Sequence, residues 1–77
     1  LKNKKLVERS KKIIMIAADV DYDTAQKCLE LSGGHVKTAI FIALTGVDRE
    51  TARKFIDRNE GFLKKALNDW KNHKQVK

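Results

Sequence analysis

Apolar residues recur along this chain at intervals of three and four, and they do not alternate with strand period over any useful length. Leu6, Ile13, Ile14 and Ala17 form one stripe, Ala25, Cys28 and Leu29 mark a second, and Val36, Ala39, Ile40 and Ala43 a third. Ala52, Phe55 and Ile56 follow, and then Phe62, Leu63, Ala66, Leu67 and Trp70. The spacing predicts an all-α chain of five helices, near residues 5 to 18, 22 to 32, 35 to 45, 49 to 58 and 61 to 72. Residues 1–70 form one domain on this reading, and residues 71–77, polar and basic, form a disordered tail.

The pattern repeats. Shifted by 27 positions, Val20 to Ile40 aligns without a gap on Val47 to Leu67, with eight of 21 pairs identical and apolar pairs such as Leu29 with Ile56 and Val36 with Leu63. A period of this size points to two helical hairpins stacked on one another. Their punctuation agrees: Asp21 and Asp48 are each placed to cap a helix start, with Asp23 and Glu50 adding charge in the first turn. Gly46 before Val47 suits a left-handed helix end, whereas Asp19 takes the same place before Val20 at some steric cost.

Composition narrows the function classes. A chain of 77 residues with 42% hydrophobic and 35% charged residues is one small helical domain. It has no apolar run long enough for a membrane span. A single cysteine, Cys28, excludes an internal disulfide and any Cys-based zinc cluster, and a buried thiol is its expected state. The basic start lacks the apolar segment of a secretory signal, so the expected compartment is the cytoplasm. With no initial methionine, the chain reads as a piece cut from a larger protein. The net charge of +7 raises nucleic acid as a partner, but the excess lies at the two ends. The third helix, as the reader of a helix-turn-helix, is too apolar for a groove. Neither a nucleic acid nor a membrane is therefore an expected partner.

Candidate chemistry concentrates in "SGGHVKTAI", Ser32 to Ile40. Gly33 and Gly34 read as a helix end in which one takes a positive φ and the other allows close approach of the next helix. In the second unit Asn59 and Glu60 replace Ser32 and Gly33, and Asn59 is the residue expected to be left-handed. His35 stands where the repeat has Phe62, taken as a core residue, so packing does not explain the histidine. His35 and Lys37, at the start of the third helix, are the candidates to face an anion such as a phosphate.

At "DYDTAQKCLELSGGHVKTAIFIAL" the chain resembles a ubiquitin-associated-type (UBA-like) helical domain. Over Lys5 to Leu67, with "GGHVKTAI", "LTGVD" and "GFLKKAL" in order, it resembles the C-terminal helical segment of bacterial N-acetylmuramic acid 6-phosphate etherase, a relative of glucokinase regulatory protein. The resemblance implies a homodimeric cytoplasmic lyase of cell-wall recycling. Such an enzyme converts the substrate to N-acetylglucosamine 6-phosphate and D-lactate without metal or organic cofactor. Its acid and base carboxylates belong to an N-terminal sugar-isomerase-type domain, so no residue here is expected to be catalytic and none to bind metal. Asp21, Asp23, Asp48 and Glu50 are accounted for as helix starts. Phe41 and Ile42, partly off the stripe of the third helix, and Trp70 are the candidates for a surface that meets that domain. The segment then serves as an accessory, lid or dimer-supporting element. The alternative is a stand-alone UBA-like interaction module. Its ubiquitin-binding form carries a Met-Gly-aromatic loop, and here the loop reads Ala18-Asp19-Val20-Asp21-Tyr22.

Overall fold

The computed structural model describes the backbone of residues 4–75 and the side chains of residues 6–73. The described residues form five helices and no strand: α1 (Lys4–Ala18), α2 (Tyr22–Leu31), α3 (Val36–Thr45), α4 (Arg49–Arg58) and α5 (Leu63–Gln75). α3 is the centre of the molecule. α1 and α2 pack on it and on each other, and α4 and α5 do the same from its other side. The result is elongated, 42 × 22 × 17 Å.

Local chemistry places the helix ends. Asp21 accepts from the Thr24 N–H at 2.9 Å and Asp48 from the Thr51 N–H at 2.8 Å, so both caps form as expected. The threonines, hydroxyl first and then N–H, hold both carboxyls below the usual carboxylate range. At the other end of α2, Gly33 N–H donates to the Glu30 carbonyl (3.1 Å) and Gly34 N–H to Leu29 (2.9 Å), the paired bonds of a Schellman motif. α4 ends in the same way, through Glu60 to Asp57 (3.1 Å) and Gly61 to Ile56 (2.8 Å). The positive-φ residues pair off at a spacing of 27: Asp19 with Gly46, Gly33 with Glu60, Gly34 with Gly61.

Two details of these turns differ from expectation. Both glycines of the first turn have positive φ, 74° and 89°, because a Schellman end followed at once by another helix needs two successive residues outside the right-handed region. In the second turn the left-handed residues are Glu60, at φ 59°, and Gly61, at φ 84°, while Asn59 stays at φ −107°. Asn59 is held there by its side chain, which donates to the Phe55 carbonyl at 2.8 Å and to Asp69 at 3.0 Å. A side chain at left-handed φ costs about 1–2 kcal/mol, less the entropy that glycine loses on folding. Glu60→Gly is therefore expected to stabilise the chain by about 0.5–1 kcal/mol. A urea midpoint that does not rise would show that the strain at Glu60 is relieved by contacts of its side chain.

The core consists of Ile14 from α1; Ala25, Cys28 and Leu29 from α2; Ala39, Ile40, Phe41 and Ile42 from α3; and Ala52, Phe55, Ile56 and Ala66 from α4 and α5. Burial pushes the Cys28 thiol upward. Of the stripe read for α1, Ile14 is buried as expected, but Leu6, Ile13 and Ala17 are exposed, and Val7 and Ala18 join Ile14 on the inward face. Both sets satisfy helical spacing, and contact with α2 and α3 decides between them. α5 also runs further than 72. It is helical through Gln75, tied to α4 by Arg58–Asp69 at 2.8 Å and by the ring of His73 against Phe55, 6.0 Å between centroids. The basic tail assigned to 71–77 is thus helical over its first part, and residues 76 and 77 lie outside the described residues.

Candidate functional site

The site is built at the α2–α3 turn. Ser32, buried, ends α2 by donating its hydroxyl to the Leu29 carbonyl at 2.7 Å and accepting the His35 N–H at 3.0 Å. That pair of bonds sets where α3 begins. His35 is its N-cap residue, with extended backbone, yet its side chain makes no capping bond. The ring instead shares a 2.7 Å hydrogen bond, through Nδ1, with the hydroxyl of the fully buried Thr38. α2 and α4 have an aspartate cap and an acid in the first turn; α3 has neither. The positive end of its dipole is therefore left uncompensated, in a turn that also contains Lys37.

Lys37 is exposed but engaged: its ammonium donates to the Gly61 carbonyl at 2.9 Å. It ties the start of α3 to the α4–α5 turn, a contact that residues 24 apart in sequence do not announce. The cation that sequence reading missed is Arg49, the first residue of α4. Its Nη1 lies 3.1 Å from where a Cβ on Gly33 would stand, which sets the guanidinium against the glycine turn. Nothing in the local sequence of Arg49 marks it, since only the fold brings α4 to this turn. His35 and Arg49 thus stand at the Gly33–Gly34 turn, with Lys37 in the first turn of α3 and its ammonium held at Gly61, beside a helix start whose free N–H groups and positive dipole suit an anion. A groove of about 870 Å³ between α1 and α2 runs to the same two glycines, lined by Val7, Lys11, Gln26, Leu29 and Glu30 among others. Two of its lining residues, Glu8 and Lys11, meet at Tyr22, whose hydroxyl donates to Glu8 at 3.0 Å and accepts from Lys11 at 3.1 Å.

The other candidates are placed elsewhere. Phe41 and Ile42 are 0% and 5% exposed, so they form no surface patch. α3 is covered from both sides, and a helix that is apolar all round is an interior one. Trp70 is partly buried and packs against the core. Phe62, in His35's place in the second unit, is 55% exposed with Lys65 over its ring at 5.0 Å, so it is not a core residue. His35 therefore takes a position that faces solvent in both units. Among the described residues, no three of His, Cys, Asp and Glu gather closely enough to hold a metal ion, and no helix is long and apolar enough to cross a membrane.

No family model matches the chain, and no solved structure matches it. Curated proteins do. The N-acetylmuramic acid 6-phosphate etherase of Clostridioides difficile (strain 630) is 51% identical over 65 residues, covering 84% of this chain and 21% of that protein. The enzyme of the same name from Halalkalibacterium halodurans is 49% identical over 67 residues, 87% of this chain and 22% of its own length. That of Listeria welshimeri is 48% identical over 65 residues, with 84% and 22% covered. The chain spans about a fifth of the length of these relatives. It is a homologue of the N-acetylmuramic acid 6-phosphate etherases and matches a fragment of such an enzyme.

Proposed function

We propose that this chain is the C-terminal helical accessory segment of a cytoplasmic, homodimeric etherase. That enzyme cleaves the D-lactyl ether of N-acetylmuramic acid 6-phosphate by elimination of D-lactate and addition of water, leaving N-acetylglucosamine 6-phosphate. The segment packs on a sugar-isomerase-type domain that carries the acid and base, and it closes over the sugar phosphate. The observation that supports this role is the start of α3, with no acidic cap and with His35, Lys37 and Arg49 around it. A phosphate or lactyl carboxylate is the kind of group such a helix start holds. Four of the chain's ten carboxylates are tied into the fold, which supports a non-catalytic role for them: Asp21 and Asp48 cap helices, Asp69 is bound to Asn59 and Arg58, and Glu8 to Tyr22.

The test is a graft. Placed in the Clostridioides difficile etherase in exchange for the homologous segment, the chain is expected to sustain D-lactate release from N-acetylmuramic acid 6-phosphate within about tenfold of the unaltered enzyme. Divergence between sequences about half identical is expected to cost no more than about 1.4 kcal/mol of transition-state stabilisation. The 77-residue chain alone is expected to release none. A folded graft without turnover, or turnover by the chain alone, would sink the proposal.

A further inference from the structure

α1 has two apolar faces, and the molecule covers one of them. Val7, Ile14 and Ala18 pack on α2 and α3, whereas residues 9, 12, 13, 16 and 17, at the i, i+3, i+4, i+7, i+8 spacing of a packing helix, are all exposed. Ile16 is 77% exposed and Ile13 45%. One such residue is ordinary on a surface, but two isoleucines and Ala17 aligned on one side form a stripe suited to a partner. The same side carries Arg9 and Lys12 and no acid. The one acid of α1, Glu8, is turned to α2 by its bonds with Tyr22 and Lys11.

We infer that this outer face of α1 docks on the remaining part of the etherase-length chain, against an aliphatic patch rimmed by acidic side chains. The inference rests on the reading above, that the chain works as one segment of such a protein. Length supports that occupant, because the relatives are more than four times longer than the matched segment, and the bulk of such a protein lies outside these residues. Charge supports it as well. In a second copy the same face would bring Arg9 and Lys12 against their equals, on chains of net charge +7, with no carboxylate on the face to pair with them. A lipid surface is a poorer match, since an interfacial helix buries a broad apolar face and the broader face of α1 is already spent on the core.

Thiol labelling tests the inference. Ile16→Cys, with Lys54→Cys as an exposed control on α4, is labelled with a maleimide in the isolated chain and in the Clostridioides difficile graft; the buried Cys28 supplies a slow background. The Ile16→Cys thiol is expected to react at least about tenfold more slowly in the graft than in the isolated chain, as a thiol reachable only by local opening does, while the Lys54→Cys thiol reacts alike in both. Equal rates for Ile16→Cys in the two proteins overturn the inference. So does slow labelling in an isolated chain that sediments as a dimer, which gives the face to a second copy, or protection of the isolated chain by phosphatidylserine vesicles. D-lactate release separates the two readings. An active graft with an unprotected Ile16→Cys thiol removes the docking face and leaves the function, while a protected thiol in an inactive graft keeps the docking face and removes the function. A graft into the Halalkalibacterium halodurans enzyme decides the matter if the first does not fold.

Discussion

Phe41→Ala is expected to leave the isolated chain largely without a cooperative melting transition. Phe41 is 0% exposed, at the middle of the helix on which the other four pack, and its ring is stacked on Phe55 with centroids 5.9 Å apart. Deleting a buried phenyl ring costs about 3–5 kcal/mol, through the lost transfer free energy and the cavity left behind. At about 0.05–0.15 kcal/mol per residue, a chain of 77 residues has about 4–12 kcal/mol to lose, and small domains lie toward the bottom of that range. The substitution therefore removes most or all of the net stability. Phe62→Ala is the control, since Phe62 is 55% exposed and its removal should cost less than about 1 kcal/mol. Thermal and urea melts followed by circular dichroism compare the two. A Phe41→Ala chain that melts within a few degrees of the parent would mean that α3 is not the shared core of the two halves.

The second large effect is expected on turnover. In the active graft, replacing both His35 and Lys37 with alanine should lower kcat/KM roughly hundredfold, the loss of hydrogen bonds to a charged group at about 1.5–3 kcal/mol each with partial compensation. Arg49→Ala should act in the same direction. The three do not report the same thing, however. Lys37 also holds the Gly61 carbonyl, so its replacement should lower the melting temperature of the isolated chain as well. His35 is bonded to the hydroxyl of the fully buried Thr38, so its replacement leaves that hydroxyl without this partner and should also lower the melt, by about 1–3 kcal/mol. Thr38→Val breaks the same bond and keeps the ring, so a kinetic loss in His35→Ala that Thr38→Val does not share is the signature of anion binding, because loosened packing would appear in both. Unchanged kinetics in the double variant would reduce "GGHVK" to a helix end and a helix start, with Gly33 and Gly34 explained by their backbone bonds alone.

The features legible in the sequence are those whose partners lie within a few residues. Asp21 and Asp48 bond N–H groups three positions on, and the Schellman ends close over five, so capping and glycine signals located the turns and the starts of α2 and α4. His35 and Lys37 were candidates on local grounds too, by contrast with Phe62 in the second unit and by their place at a helix start. Where a local rule failed, a side chain had found a partner further off: Asn59 was kept out of the left-handed region by Asp69. α5 extended beyond 72 because Asp69 and His73 hold it to α4.

Which face of a helix is buried was decided by tertiary structure alone. Along α1, Leu6-Ile13-Ala17 and Val7-Ile14-Ala18 are equally good stripes by spacing, and the choice belongs to α2 and α3. Phe41 and Ile42 looked peripheral on a one-sided reading of α3; they are interior because helices cover it on both sides. Arg49 reaches Gly33, and Lys37 reaches Gly61, across separations that no periodicity encodes. By itself the sequence determined five helices, their caps and the kinship of the chain, since these depend on bonds between near neighbours and on residue identity. The fold decided the core faces, the approach of Arg49 to the Gly33 turn and the exposed side of α1, because each depends on which distant surfaces come together.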